Sequence, residues 1–322
     1  MHRQFPIIVG PTAGGKSALG VRIALECRLR GEPVGEVISA DSMQVFRGMD
    51  IGTGKLRAEE RCGVPHHLID LVDPTEPFSV DQWLARAEEA LAEIRGRGAL
   101  PIVVGGTHLY AKALAEGLFE SPEPDPAYRA MLAALPRAER RAMLERVDPP
   151  AAARIHPNDD RRTIRALEVF HATGVPISSH QTQWDAGSMR PDAVIVGVEW
   201  PTEAINRRIN ARVKQMMADG LLEETRALWA RGALGPTAIQ ALGYRQLVDH
   251  LEGRMPVDEA VERIKIETRR FAKNQRTWLR RLRMSPGSIW VEAGDGDPDR
   301  WAVEVLSRLA GRHRDTEQIP SE

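Results

Sequence analysis

FPIIVGPTAGGKS, from Phe5 to Ser17, is the stretch on which the reading of this chain turns. Phe5 to Val9 is a short unbroken apolar run, the pattern of a buried strand. Gly10 to Gly15 breaks it, and Ser17 to Arg30 reads as a helix. The loop Gly10-Pro11-Thr12-Ala13-Gly14-Gly15-Lys16-Ser17 fits the phosphate-loop pattern G-x-x-x-x-G-K-[ST]. Glycines let the backbone turn its N–H groups toward phosphate oxygens, and the helix that follows adds its positive dipole end. Lys16 then acts as a point charge on the phosphates, and the Ser17 hydroxyl can ligate Mg2+. A chance Lys-Ser after a glycine-rich turn would carry no such chemistry. The strand before the loop and the helix after it select the phosphate reading, that of nucleotide-binding and ATP-binding P-loop proteins. The motif alone leaves open which phosphate is held and whether it is hydrolysed.

Outward from this loop, strands alternate with helices. Glu36 to Ala40 (EVISA) is a second strand, ending at Asp41 and Ser42. Ser79 and Gln82 form a capping box for a helix through about Arg95. Leu100 to Val104 is a third strand, broken by Gly105 and Gly106, with Thr107 opening another helix. This alternation predicts an α/β fold with a P-loop-type parallel sheet, whose ligands sit at the carboxyl ends of the strands. The pattern changes at Ser121–Pro126 (SPEPDP), where Asp125 and Pro126 read as N-cap and first helical residue. No strand signal follows until Ala193 to Val198. Residues 121–190 are therefore expected to form an all-helical insertion, with 1–120 and 191–311 as a discontinuous core and 312–322 as a disordered polar tail.

The chain has 322 residues, 42% hydrophobic and 28% charged, a composition that supports a packed core. The net charge of −1 excludes a globally basic nucleic-acid binder, so any such surface must be local. Cys27 and Cys62 have no metal-like spacing and make a poor disulfide framework, so a reducing, cytoplasmic setting is expected. No apolar run approaches a membrane span. A monomer is expected.

Asp41, closing the second strand, admits more than one reading: a Mg2+ ligand, a general base beside a bound diphosphate, or a plain turn cap. Thr107, taken alone, reads as an N-cap. Between Glu262 and Arg283 nine basic residues, Arg269 and Lys273 among them, face two acidic ones, with Phe271 and Trp278 interleaved. Such an excess of one sign suits a phosphate backbone. Arg161, Arg162 and Arg165 form a second basic cluster in the insertion, so that two surfaces could hold a folded RNA.

Over nearly its whole length the chain resembles the bacterial tRNA dimethylallyltransferases, also called tRNA isopentenyltransferases. The matching segments are GPTAGGKS (Gly10–Ser17), ISADSMQVFRGMDIGTGK (Ile38–Lys55), GGTHLY (Gly105–Tyr110), RIHPNDDRRTIRALEVFHATG (Arg154–Gly174), ALGYRQL (Ala241–Leu247) and AKNQRTWLRR (Ala272–Arg281). The resemblance implies transfer of a dimethylallyl group from its diphosphate to the exocyclic amine of the adenine 3′ of a tRNA anticodon. It implies that Asp41 takes the amine proton, that Ser42, Met43 and Gln44 hold the flipped adenine, and that Thr107 contacts diphosphate or adenine. It makes Arg212 a partner of the diphosphate, with Ala13 to Ser17 around it and Mg2+ at Ser17. It assigns Arg161, Arg162 and Arg165 to contact with the anticodon stem-loop, and the charge of the basic helix adds Arg269 and Lys273 to the expected tRNA contacts. Asn274 stands where the family pattern expects a basic residue, and Arg161 where it often has Gln.

Other classes share part of this pattern. A P-loop small-molecule kinase shares the loop and Mg2+ but leaves DSMQ and the basic helix unexplained. A prenyltransferase for free adenine nucleotides needs no basic surfaces, and a non-catalytic RNA-binding protein leaves the phosphate loop idle.

Overall fold

A computed structural model of the chain describes residues 4–119, 122–180, 189–294 and 296–317. β1 (Phe5–Val9) is buried at every position, as its unbroken apolar run requires. It is followed by α1 (Lys16–Leu29), β2 (Glu36–Ser39), β3 (His66–His67), α2 (Val80–Gly96), β4 (Pro101–Val104) and α3 (His108–Glu116). The Ser79–Gln82 capping box that starts α2 is formed, each side chain closing on the other's backbone N–H. Then come α4 (Pro126–Ala134), α5 (Arg137–Val147), α6 (Pro149–Arg154), α7 (Asp160–Thr173) and α8 (Ile177–His180). The chain returns to the sheet in β5 (Ala193–Glu199), continues through α9 (Thr202–Ala218), α10 (Leu221–Ala230), α11 (Tyr244–Leu251) and α12 (Val257–Arg283), and ends in β6 (Ile289–Glu292) and α13 (Pro298–Glu317).

The six strands form one sheet in the order β3-β2-β4-β1-β5-β6, with every pairing parallel. The fold is therefore α/β, and the connection from β1 runs to one side of the sheet, to β2, while that from its neighbour β5 runs to the other, to β6. The crevice at such a switch point opens at the carboxyl end of β1, where the phosphate loop lies. β3 and β6 escape sequence reading because one is two residues long and the other is a single short edge strand. The chain divides into two compact units, 1–115 with 191–322, and 116–190. Ser121, read as the start of the proline-rich joint, lies outside the described residues. The expected disordered tail is corrected in part: α13 continues through 312–317, and 318–322 lie outside the described residues.

Two apolar clusters serve different purposes. In the larger unit, Val45, Phe46 and Met49 from the segment after β2 pack with Val213, Leu221, Tyr244 and Ile264. This ties the long segment of residues 40–72 to α9–α12. The helical unit has its own core of Leu132, Leu144, Leu167 and Val169.

Candidate active site

The phosphate loop is shaped by left-handed backbone at Ala13 (φ 59) and Gly15 (φ 85), with a tight turn closed by Gly14 N–H to the Pro11 carbonyl at 3.1 Å. At Ala13 that conformation costs about 1–2 kcal/mol, so the surroundings must hold it. They do so from outside the loop. Trp200 Nε1 donates to the Gly14 carbonyl at 2.9 Å, and Arg208 Nε donates to the Ala13 carbonyl at 2.9 Å. The carbonyls are thus fastened outward, which leaves the nest of N–H groups and the start of α1 for an anion. Thr12 and Gly14 are exceptions, because their N–H groups are already taken by Gln275 Oε1 at 2.7 Å and by the Pro11 carbonyl at 3.1 Å.

Lys16 Nζ donates to the Pro11 carbonyl at 2.9 Å. Burial, and then the neighbouring charge of Arg212, lower its pKa to about 8, against a smaller upward pull from Asp41. Arg212, on α9, is also drawn below its usual range, first by burial, while Asp41 acts in the opposite sense. No hydrogen bond or ion pair ties its guanidinium to another described residue. A methyl at Gly54, where φ is +63°, would overlap that guanidinium, so glycine there lets backbone lie against Arg212. Two cations lowered by burial, with Arg212 further lowering Lys16, in a half-buried cleft are the signature of an anion site.

Asp41 meets these cations because of strand order. β4 lies between β1 and β2 and ends in Gly105-Gly106, with no side chain to fill the gap. A Cβ on Gly106 would lie 3.8 Å from Lys16 Nζ, 4.0 Å from Asp41 Oδ2 and 3.0 Å from Gln275 Nε2. The three side chains converge on the space that this glycine leaves open. Asp41 Oδ1 accepts from Met43 N–H at 2.9 Å, so the other oxygen is the one that faces Gly106. Thr107 Oγ1 accepts from Ser42 N–H at 2.9 Å and donates to Ser42 Oγ at 3.2 Å. Gln44 is committed elsewhere: Oε1 accepts from Ser39 Oγ at 2.9 Å, and Nε2 donates to the Thr53 carbonyl at 3.3 Å.

Thr12, Ala13, Asp41, Ser42, Met43, Gly106, Thr107 and Arg212 line a cavity of about 650 Å³. Ile209, Val213, Met216, Leu221, Leu242 and Ile264 give it an apolar wall, while Thr53, Gln240, Arg245, Glu267 and Thr268, with Arg270, Phe271 and Asn274 of α12, line the rest. The cavity thus combines cationic groups, a carboxylate and a hydrocarbon surface.

Groups remote in sequence hold the long irregular segment after β2 in place. Glu224 accepts from the N–H groups of Asp50, Ile51 and Gly52 at 3.1, 2.9 and 3.3 Å, and from Tyr244 Oη at 2.5 Å. Lys55 Nζ donates to the Phe46 carbonyl at 2.6 Å and to Asp50 and Asp70 carboxylates at 2.8 and 2.5 Å. No sequence pattern marks Glu224, Trp200 or Arg208, since each acts on a partner more than a hundred residues away. Gln275 lies within the quoted AKNQ segment, but nothing local reveals its partners.

The basic residues differ in availability. Lys273, Arg270, Arg161 and Arg162 are exposed. Arg269 is half-buried and donates to Asn210 Oδ1 at 2.5 Å. Arg165 donates to the Pro122 carbonyl at 2.9 Å and pairs with Glu168 at 3.4 Å, so part of its donor set braces the helical unit. Trp278 stacks with His108 at 5.8 Å and lies under Lys112 at 5.5 Å. Among the described residues no helix is long and apolar enough to cross a membrane.

With this geometry in view, the comparisons agree with one another. The family model described as IPP transferase matches residues 44–282. A tRNA dimethylallyltransferase of Geobacillus kaustophilus is 46% identical over 319 residues, covering 97% of this chain and 98% of its own. One from Symbiobacterium thermophilum is 46% identical over 318 residues, covering 96% of this chain and 95% of its own. The crystal structure of a full-length tRNA isopentenylpyrophosphate transferase from Bacillus halodurans is similar at a TM-score of 0.71 and 38% identity, covering 98% of this chain and 100% of its own. A eukaryotic dimethylallyltransferase acting on tRNA reaches a TM-score of 0.81 at 26% identity, covering 100% of this chain and 81% of its own. A phosphate loop facing a strand-end aspartate and an unpaired arginine, on a chain matched from end to end by these relatives, places the chain in the tRNA dimethylallyltransferase (IPP transferase) family.

Proposed function

We propose that this chain transfers a dimethylallyl group from dimethylallyl diphosphate to the exocyclic amine of the adenine immediately 3′ of the tRNA anticodon. The observation that carries this reading is the convergence of Lys16 and Asp41 on the open space at Gly106, in one cavity with Arg212 and an apolar wall. The bond between the allylic carbon and the diphosphate oxygen breaks, and a bond from that carbon to the adenine nitrogen forms. Negative charge grows on the leaving diphosphate, where Lys16, Arg212 and the N–H groups of Ala13 and of Gly15 to Ser17 stabilise it. Positive charge grows on the carbon, against hydrocarbon walls that exclude water. The amine loses a proton as it bonds, and Asp41 Oδ2 is the carboxylate oxygen in place to take it. Adenine reaches this depth only when unstacked from its neighbours, for which Ser42, Met43 and Thr107 form the receiving loop.

Among the described residues no cluster of three or more His, Cys, Asp or Glu forms a metal cage. Mg2+ needs none, since it is bound by substrate phosphates with few protein oxygens and retained waters. The Ser17 hydroxyl, next to Lys16 in the first turn of α1, would be one such protein oxygen. When bound, Mg2+ would supply further neutralisation of the leaving diphosphate.

The RNA side of the reading rests on α12, where exposed Arg270 and Phe271 line the cavity and Lys273 is exposed on the same helix, and on Arg161 and Arg162 of the helical unit. An anticodon stem-loop presents both phosphates and unstacked bases to such surfaces. We place the enzyme in the cytoplasm as a monomer. A small-molecule kinase would leave the apolar wall without a purpose, and a free-nucleotide prenyltransferase would leave the charge of α12 without one.

The test is incubation with Mg2+, labelled dimethylallyl diphosphate and tRNA carrying adenine 3′ of the anticodon, followed by mass analysis of the nucleosides. Adenosine heavier by one dimethylallyl unit is expected. Label on AMP but not on tRNA, or ATP consumption without prenyl transfer, would sink the proposal. Lys273→Ala is expected to weaken tRNA binding and to lower the slope of log K against log salt by about one.

The lowered pKa of Lys16 gives a pH dependence of definite sign. The free protein's ammonium titrates at about 8. A bound diphosphate favours the charged form and raises that pKa. Below about pH 8 the lysine is charged in both states, and affinity is insensitive to this group. Above it, binding must take up a proton, and affinity falls by up to about tenfold per pH unit. Calorimetry with dimethylallyl S-thiolodiphosphate between about pH 7 and about pH 9.5 should show this break. Lys16→Met should bind weakly without it.

A further inference from the structure

We infer that Gln275 is a positioning residue that locks the phosphate loop and the Gly106–Thr107 loop into one frame. Gln275 is 1% exposed and lies on the buried stripe of α12 with Ala272, Leu279 and Leu282. A polar amide in such a stripe persists only where its atoms are hydrogen-bonded. Both ends of this amide are engaged, and by different loops. Oε1 accepts from Thr12 N–H at 2.7 Å, and Nε2 donates to the Gly106 carbonyl at 3.0 Å. The partners are backbone groups of opposite character, so they also settle which end of the amide is oxygen.

The consequence runs to the reacting groups on both sides. Through Thr12, the side chain holds the loop that leads to Ala13 and Lys16. Through Gly106, it holds the peptide before Thr107, whose hydroxyl contacts Ser42, the residue after Asp41. Only an amide of this length supplies one acceptor and one donor at once. A carboxylate keeps only the acceptor, a thioether keeps neither, and asparagine is one methylene short. Gly106 fits the same arrangement, since an added Cβ would lie 3.0 Å from Nε2 and the amide would have to give by a few tenths of an ångström. The cavity wall on the same helix, Phe271 and Asn274, is therefore in fixed register with the diphosphate cradle.

This inference rests on the transferase reading, and its test separates the two. Gln275→Met keeps the length and removes both hydrogen bonds. It is expected to raise KM for dimethylallyl diphosphate and lower kcat, with kcat/KM down by about 10- to 100-fold, while tRNA affinity stays within about twofold. A merely structural role would reduce the fraction of active protein, scaling kcat and leaving KM unchanged, and that result would overturn the proposal. If Gln275→Met fails to fold, Gly106→Ala tests the same contact without removing it from the core. A normal KM in that variant would be equally fatal. Should the wild-type protein transfer no prenyl group, the transferase reading fails, yet the clamp is still measurable with inorganic pyrophosphate. Its affinity is expected to fall about tenfold in Gln275→Met, and unchanged affinity would refute the clamp.

Discussion

Asp41→Asn is expected to lower kcat by about 10²- to 10⁴-fold while leaving tRNA affinity within a factor of about three. The substitution is chosen from the geometry. Oδ1 of Asp41 accepts from Met43 N–H at 2.9 Å, and an asparagine oxygen can keep that bond and the shape of the segment after β2. What changes is the oxygen facing Gly106, which becomes a neutral amide unable to take a proton from the adenine amine. An arylamine is a weak nucleophile, so the loss falls on the chemical step. Asp41→Ala removes the Met43 contact as well and should add a rise in KM for tRNA, because Met43 lines the cavity. Single-turnover transfer at saturating tRNA, with binding measured separately, distinguishes the two effects. Collapse of tRNA binding in Asp41→Asn would make the carboxylate a positioning group for the loop and would remove the base from the mechanism.

The parts of this site legible in the sequence are those written over short distances. The run Phe5–Val9, the glycine-rich turn and the helix after it carry their own periodicity. The Ser79–Gln82 capping box spans one helical turn. The juxtaposition of Lys16 with Asp41 is different in kind, because it depends on β4 entering the sheet between β1 and β2 and ending in a glycine pair. Residue type alone left Asp41 open between metal ligand, base and cap, and the convergence at Gly106 now favours the base. Thr12 shows the converse. The loop pattern includes its N–H in the phosphate cradle, yet that group is bonded to Gln275, 263 residues away. Arg165 and Arg269 belong to basic clusters that suit RNA, whereas each also spends donors within the fold, on Pro122 and Asn210. Clustering in sequence reports net charge, and only packing shows which cations remain available.

Arg212→Met is expected to reduce kcat/KM for dimethylallyl diphosphate by about 10²- to 10³-fold. Methionine retains much of the aliphatic stem that packs along the cavity, so the loss isolates the charge. Arg212 makes no hydrogen bond or ion pair to another described residue, and its removal strands no partner. The deficit should therefore appear in diphosphate binding and prenyl transfer rather than in thermal stability. Arg212→Lys should recover only part of it, because a point charge on a shorter stem cannot present the planar fork that suits two phosphate oxygens. A second consequence ties this variant to the pH dependence. Arg212 is one of the two causes that hold Lys16 at about 8. Without its charge the Lys16 pKa rises, and the break in diphosphate affinity should move to higher pH. The two cations also repel each other in the free protein, so each is bound more favourably once the diphosphate neutralises both. Lys16→Met and Arg212→Met combined should then differ from the sum of the single losses. Strict additivity, together with an unmoved pH break in Arg212→Met, would show that the two cations do not share one diphosphate.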